Sequence, residues 1–157
     1  MAAGDVVKTF RFRKETVKSK TGGGGTKGDL LAYDTDGFAP ATQTIIKATR
    51  STPFKKYVAT ETVTAVPATQ SDLPALAEGV IGISKVSGAL SKGQVVGASA
   101  TAGKVEAWSA PDISAIIAAY CATTIQVQLD KLLYAIGEVQ SDAENADAFV
   151  NTLLASR

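Results

Sequence analysis

Residues 91–108 read Ser-Lys-Gly-Gln-Val-Val-Gly-Ala-Ser-Ala-Thr-Ala-Gly-Lys-Val-Glu-Ala-Trp. The stretch opens with a Lys-Gly turn, continues through two valines, reverses at Thr101-Ala-Gly103 and returns to Trp108. Two apolar runs joined by a short glycine-containing loop predict a β-hairpin. A weaker copy of the pattern spans residues 27–40, so we expect the chain to use this module twice.

The composition is that of a folded β protein. The chain has 157 residues, of which 45% are hydrophobic and 20% charged, and it contains 14 glycines. This length allows one domain with a substantial hydrophobic core, with or without an extension. Short apolar runs at near-even spacing predict a mainly β fold, a small β-barrel or sandwich with a flexible N-terminal arm and one short helical insertion.

The rarity of histidine and cysteine limits the chemistry that we expect. The sequence has no histidine, and Cys121 is its single cysteine. Zinc sites, catalysis that depends on histidine, and an internal disulfide are therefore excluded, and Cys121 is expected to be a small buried residue. We expect a protein that is not an enzyme and that carries no cofactor.

No segment of the sequence has the pattern of a targeting or membrane-spanning element. The start lacks a basic region followed by an apolar core, so we expect no signal peptide. The longest apolar run, around residues 113–121, is too short to span a bilayer. We expect a soluble protein, made in a cytoplasm, with no membrane partner.

The N-terminal residues predict a basic arm. Residues 5–18 alternate as an extended segment, and the glycine-rich residues 20–26 predict a hinge, which divides the chain into an arm with its hinge at 1–26 and a body at 27–157. Residues 1–56 hold eleven Lys/Arg and five Asp/Glu, whereas residues 57–157 hold five and ten. Such asymmetry can steer docking or can simply solvate the surface.

The candidate binding residues of the arm combine aromatic and basic side chains. They are Phe10, Arg11, Phe12, Arg13 and Lys14. We expect the arm to add a strand to a neighbour's sheet edge, with a solvated tail as the alternative. We expect no nucleic-acid partner, because that needs a denser basic patch with bases to stack on. A chain without residues 1–21 should then fold but bind less well.

Alternation and turn residues predict the remaining elements. We expect strands over residues 30–33, 43–50, 56–66, 78–86, 123–129, 132–139 and 149–154, and a loop over residues 67–76. Pro111 and Asp112 can start a helix. The candidates for an oligomer interface are the residues of that helix face and the nearby tryptophan: Trp108, Ile113, Ile116, Ile117 and Tyr120. Packing within the chain is the alternative for all five.

Two further patterns have simpler explanations than a ligand site. The acidic residues Asp34, Asp36, Asp142, Glu144 and Asp147 could bind calcium or act as a carboxylate pair, but the calcium-loop spacing is incomplete, and turns and solvation explain them. Gly22–Gly25 followed by Thr-Lys lacks the Walker spacing, so we expect a linker. We expect no metal site.

Four motifs follow one another along the chain: Glu-Gly-Val-Ile-Gly-Ile-Ser, Leu-Ser-Lys-Gly-Gln-Val-Val-Gly, Ala-Gly-Lys-Val-Glu-Ala and Ala-Ile-Gly-Glu-Val-Gln-Ser-Asp-Ala. Their order resembles a family of small phage capsid decoration (cement) proteins. The resemblance covers residues 27–42 and 78–155. The chain departs from the family in its long basic N-terminus, its middle at 43–77 and its insertion at 109–131.

The resemblance implies a structural protein of the virion rather than an enzyme. It implies a homo-oligomer, a trimer at local three-fold positions, that binds the major capsid protein on the outside of an icosahedral head and stabilises it. It implies no catalytic residues. The alternative is a small β-barrel binding or carrier module of the carbohydrate- or lipoyl-binding kind, with Lys104 near a hairpin tip as the modified lysine.

Overall fold

The computed structural model describes residues 4, 6–8, 13–34, 44–52, 55–114, 118, 125–129 and 135–154, and these contain eleven strands. The strands are β1 (Val6–Lys8), β2 (Lys14–Lys18), β3 (Leu30–Tyr33), β4 (Ile45–Lys47), β5 (Lys55–Ala59), β6 (Asp72–Leu76), β7 (Gly79–Ser84), β8 (Val95–Ala98), β9 (Val105–Ala107), β10 (Ala135–Val139) and β11 (Phe149–Leu154). Residues 113–114, 118 and 125–129 are helical.

The strands form two sheets in which every paired strand is antiparallel. One sheet has the order β1-β7-β11-β10-β8-β9, and the other has the order β2-β6-β5-β3-β4. The predicted mainly β fold is therefore confirmed. The predicted hairpin at residues 91–108 is also confirmed, because β8 and β9 pair directly across the turn.

The two sheets repeat one topology. We call β2–β6 the first unit and β7–β11 the second unit. In each unit the spatial order of the strands is first, fifth, fourth, second, third. The register repeats as well: Leu31 faces Tyr57 in the first unit, and Val96 faces Gly137 in the second, beside a bulge in both units. β1 is an additional strand on the outer side of β7.

The turn before the second strand is duplicated down to its hydrogen bonds. In the first unit, Asp29 N–H donates to Thr26 O (2.9 Å), and Thr26 N–H donates to the Asp29 carboxylate (2.8 Å). In the second, Gln94 N–H donates to Ser91 O (3.0 Å), and Ser91 N–H donates to the Gln94 amide oxygen (3.2 Å). The third residue of the turn is a glycine in both units, Gly28 with φ of +89° and Gly93 with φ of +84°. A residue with a side chain would adopt this left-handed conformation less readily.

Each unit curls so that its two outer strands approach. The residue after β2, Ser19, forms a parallel bridge with Ile45, and Lys85 after β7 forms the corresponding bridge with Val105. Lys20 N–H and Val86 N–H donate to the carbonyls of these partners, both at 3.0 Å. Each unit therefore bends towards a small barrel, which agrees with the predicted barrel or sandwich.

The hydrophobic core has two parts. One cluster lies within the first unit and contains Leu31, Ile45, Tyr57 and Leu73. The other joins the interior of the second unit, including Ile83 and Val96, to the opposite face of the first unit's sheet. The first unit's sheet is thus buried on both faces, and the two units share one core.

The N-terminal residues are placed differently from the expected arm and hinge. Within residues 1–26, β2 pairs with all five residues of β6, so this part lies in a sheet. The glycine-rich segment packs as well: Gly25 bridges Val63, and a Cβ on Gly24 would lie 2.5 Å from the Val63 carbonyl oxygen. Glycine is needed here for close approach of two backbones, not for a hinge.

Three predicted elements are corrected by the structure. The expected strand at 123–129 is helical at 125–129, because alternation over a short run also places residues four apart on one helix face. The expected strand at 56–66 ends at Ala59, and residues 64–70 are exposed. The expected loop at 67–76 contains β6, with a proline at position 74.

Pro74 fits inside β6 because its missing N–H is not needed. Thr60 donates from its backbone N–H (3.0 Å) and its hydroxyl (3.1 Å) to Pro74 O. The carbonyl and the nitrogen of one strand residue point to the same side, so both point towards Thr60 and away from β2. Proline therefore interrupts no bond between β2 and β6.

Candidate functional site

The basic residues predicted to bind a partner lie at the start of β2, as far as the structure describes them. Arg13 and Lys14 are both exposed, and each lies near an acid. Arg13 forms an ion pair with Glu15, and Lys14 Nζ lies 4.0 Å from the Glu61 carboxylate. The other predicted residues of this set, Phe10, Arg11 and Phe12, lie outside the described residues.

A polar cluster inside the first unit connects three strands. Tyr57 on β5 donates its hydroxyl hydrogen to the Glu15 carboxylate (2.7 Å), and its oxygen lies 2.9 Å from the Tyr33 hydroxyl. The tyrosine rings meet edge to face, with centroids 5.8 Å apart. Burial, then the hydrogen bonds with Tyr33 and Glu15, raise the pKa of Tyr57. With its pKa raised, the Tyr57 hydroxyl keeps its proton at neutral pH and stays a hydrogen-bond donor to Glu15.

The second unit has no such cluster at the equivalent positions. The register places Ile81 where the first unit has Glu15, Ala98 where it has Tyr33, and Gly137 where it has Tyr57. Ile81 and Ala98 belong to the core that both units share. The corresponding end of the second unit is therefore apolar and closed by the first unit.

Backbone hydrogen bonds join the two units at the turn between β8 and β9. The hairpin turn after β8 lies against the first unit: Gly103 N–H donates to Ala48 O (2.7 Å), and Leu30 N–H donates to Gly103 O (2.8 Å). A Cβ on Gly103 would lie 2.8 Å from the Asp29 carboxylate. Arg50, in the first unit, donates its backbone N–H to Ser99 O (2.7 Å) and forms an ion pair with Glu106.

One row of cross-strand neighbours differs sharply between the units. In the first unit the row is Leu30, Val58 and Leu76, with 1%, 0% and 1% of their surface exposed. In the second unit the same positions are Val95, Glu138 and Leu153. Val95 and Leu153 are each 37% exposed, and Glu138 is exposed between them. We call these three residues the open row.

Sequence reasoning missed the open row. Alternation alone does not say which face of a strand is covered, and the row spans three strands that are not consecutive in the chain. The usable signal was the pair of Lys-Gly turns, Lys27-Gly28 and Lys92-Gly93. Aligning the chain on these turns matches Leu30 with Val95 and brings out the difference in environment.

The residues predicted for an oligomer interface are placed only in part. Trp108 is half-buried, and its backbone N–H donates to Val95 O (2.9 Å), so it lies beside the open row. Ile113 is 60% exposed. Ile116, Ile117 and Tyr120 lie outside the described residues. Nearby, the helical residues Val127 and Leu129 are also exposed, while Gln128 is buried and accepts from Asp112 N–H at 2.7 Å.

The described acidic residues make hydrogen bonds and ion pairs with other residues of the chain. Asp142 accepts a hydrogen bond from Lys92 N–H (2.7 Å), Asp147 accepts one from Glu144 N–H (2.6 Å), and Asp34 pairs with Lys20 at 2.9 Å. Asp36 lies outside the described residues. In the part of the chain that the structure describes, no three His, Cys, Asp or Glu side chains are grouped as metal ligands.

Lys104, the predicted site of a modified lysine, lies in the turn between β8 and β9. Lys104 is half-buried at the last position of the β8–β9 turn, where its N–H donates to Thr101 O at 3.2 Å. Among the residues with described structure, no helix combines the length and hydropathy needed to cross a bilayer.

Comparison with known proteins adds a likeness of fold. No protein-family model and no curated protein sequence matches the chain. A solved structure, titled the head fiber gp8.5 N base in bacteriophage phi29, superposes with a TM-score of 0.57 at 11% sequence identity. The match covers 91% of this chain and 95% of that chain. The two chains therefore share a fold over nearly their whole lengths.

Proposed function

We propose that this chain is a structural protein of a phage virion, located on the outer surface of the head. The observation that carries the proposal is the likeness of fold to the head fiber base, because it extends across both units. The motif order that resembles capsid decoration proteins supports the same assignment independently of the fold. Both comparisons involve proteins of the phage head.

Within that role, we propose a decoration (cement) protein that binds the major capsid protein as a homo-oligomer, a trimer, and stabilises the shell. Many copies on one shell allow individually modest contacts to hold the lattice together through avidity. The exposed basic residues Arg13 and Lys14 are the described part of the surface that we propose faces the capsid. The proposed role uses surface complementarity and needs no catalytic residue.

A co-sedimentation assay tests the head-surface role. Empty heads that lack this protein are incubated with the purified chain and pelleted, and the melting temperature of the heads is measured with and without it. We expect saturable binding and a higher melting temperature. Failure to pellet with the heads at micromolar protein would overturn the capsid proposal.

A pair of matched variants tests the basic surface. Lys14→Ala removes the exposed positive charge of one of the predicted binding residues, and Lys92→Ala removes one from an exposed turn of the second unit. We expect only Lys14→Ala to weaken head binding, and its effect should shrink at high salt because exposed charges are screened. Equal losses for the two variants would contradict a specific role for this surface.

The carrier alternative is tested by intact-mass measurement of the protein purified from its natural host. A lipoyl or biotinyl group on Lys104 would add a fixed mass. We expect the mass of the unmodified chain.

A further inference from the structure

The open row corresponds to a row of the first unit that is covered by another part of the chain. In the first unit, the equivalent row of Leu30, Val58 and Leu76 is covered by the second unit and is almost completely buried. The same positions in the second unit carry two large apolar side chains that remain 37% exposed. Because the two units share strand order and register, the uncovered row is the same docking face without its occupant.

The sign of the charges distinguishes between two ways of covering this row with a second copy. A symmetric contact would place the open row of one copy against that of its partner, and the two Glu138 carboxylates would then face each other. Glu138 has no ion-pair partner among the residues that the structure describes. Bringing two such carboxylates together in a desolvated contact is unfavourable, so the symmetric arrangement is disfavoured.

A head-to-tail contact avoids this repulsion. Residues 14–76, from the start of β2 to the end of β6, hold eight Lys/Arg and six Asp/Glu, whereas residues 79–154, from β7 to β11, hold four and seven. The row with Glu138 therefore belongs to the acidic half, and the other half is basic. Opposite charges on the two halves favour a contact between the second unit of one copy and the first unit of the next.

We propose that the open row of Val95, Glu138 and Leu153 binds the first unit of a second copy of this chain, head to tail. Within the chain, the row of the first unit contacts the second unit. Between copies, the open row of the second unit contacts the first unit of the next copy. A head-to-tail contact closes into a ring when the rotation between copies allows it, and three copies in a ring correspond to the proposed trimer. The inference rests on the proposed self-assembly but not on capsid binding.

The first test compares two exposed positions of the second unit. Val95→Asp places a carboxylate in the open row, and Ala89→Asp places one on an exposed turn residue outside the open row. We expect Val95→Asp to raise the dissociation constant of self-association at least about tenfold, since a charge buried without a partner is costly. Ala89→Asp should leave it unchanged. Mass is measured by light scattering coupled to size-exclusion chromatography, and circular dichroism checks that both variants are folded.

The second test uses the sign of the effect at Glu138. In a head-to-tail contact Glu138→Gln removes an attraction to the basic half and weakens assembly, and added salt weakens assembly of the wild type. In a symmetric contact Glu138→Gln removes a repulsion and strengthens assembly. Stronger assembly of Glu138→Gln would overturn the proposal, and so would a folded Val95→Asp variant with unchanged oligomeric mass.

The outcome is separable from that of the capsid proposal. A wild type that is monomeric at about 100 µM would overturn the contact between copies, even if it pelleted with empty heads. A wild type that is oligomeric and dissociated by Val95→Asp would support the contact, even if neither form bound heads.

Discussion

Tyr57 shows how a single side chain gives the two units different properties. It is buried, and it donates a hydrogen bond to Glu15 while contacting the Tyr33 hydroxyl. The second unit has Gly137 at this position, where a Cβ would lie 2.3 Å from the Leu153 carbonyl oxygen. The first unit therefore has a polar side chain at this position, whereas glycine in the second unit allows β10 and β11 to approach closely.

We expect Tyr57→Phe to lower the free energy of unfolding by about 1–3 kcal/mol, because the half-buried Glu15 carboxylate loses a donor. The control is Tyr33→Phe, which keeps the bond between Tyr57 and Glu15 and should cost about 1 kcal/mol or less. Urea unfolding of the three proteins measures both values. Equal losses would contradict the greater importance of the Tyr57–Glu15 bond.

The raised pKa of Tyr57 predicts how stability depends on alkaline pH. The folded protein keeps the Tyr57 proton above the ordinary pKa of 10.0, whereas the unfolded chain releases it there. This contribution to stability is complete below pH 10.0 and is lost as the pH rises further, by about 1.4 kcal/mol per pH unit. Unfolding measured between pH 9 and 11 should show a shallower decline for Tyr57→Phe than for the wild type. Parallel curves would contradict the assignment.

Gly103 and Gly93 form a matched pair for testing the contact between units. Both have left-handed backbone conformations, with φ of +79° and +84°. An added Cβ meets nothing within 4 Å at Gly93 but lies 2.8 Å from the Asp29 carboxylate at Gly103. We expect Gly93→Ala to cost about 1–2 kcal/mol from the backbone alone and Gly103→Ala to cost clearly more. Equal unfolding free energies would contradict close packing at this contact.

At the scale of elements, the N-terminal strands differ in how deeply they belong to the fold. β2 pairs with all of β6, and its Val17 packs against the core of the first unit. β1 pairs with β7 at the edge of the other sheet, and the first unit has no equivalent strand among those described. The basic N-terminus is therefore divided between an integral strand and an added edge strand.

Two truncations test this division. Removing residues 1–12 takes away β1 but leaves β2, and we expect a folded chain with somewhat lower stability. Removing residues 1–21 also removes β2 and exposes the edge of β6, so we expect the chain to unfold or aggregate. Circular dichroism and solubility measure both. A folded chain without residues 1–21 would support the original arm-and-body division and contradict the role given to β2.

At the scale of the whole molecule, the two units depend on each other. The row of Leu30, Val58 and Leu76 in the first unit and the interior of the second belong to one core cluster. Separating the units would return this apolar surface to water, at about 25 cal/mol for each Å². We therefore expect the two units to fold as one cooperative structure.

This dependence predicts a single unfolding transition. Calorimetry should give one peak whose calorimetric and van't Hoff enthalpies agree, as for a two-state domain. A chain ending at residue 77 should not fold, because its docking face has lost its cover. Two resolved transitions, or a stable isolated first unit, would show that the units fold independently.

Local sequence patterns are sufficient to predict the elements that depend on neighbouring residues alone. Turn residues and alternating β-formers predicted the central hairpin, the strands ending near Val139 and Leu154, and the repeated Lys-Gly turn. These predictions succeed because a glycine with positive φ, or a run of alternating apolar residues, restricts the backbone conformation within a few residues. The candidate residues Arg13, Lys14, Trp108 and Ile113 were predicted from local pattern, and their roles stay predictions.

What lies against each strand depends on contacts between distant parts of the folded chain. It placed Gly24 against Val63, accommodated Pro74 inside β6, and buried Leu30 while leaving Val95 exposed. These outcomes depend on partners distant in sequence, and two nearly identical turn sequences precede opposite environments. Burial of a β-sheet face is fixed by what packs on it, so the open row follows from the tertiary structure and not from the pattern of any one strand.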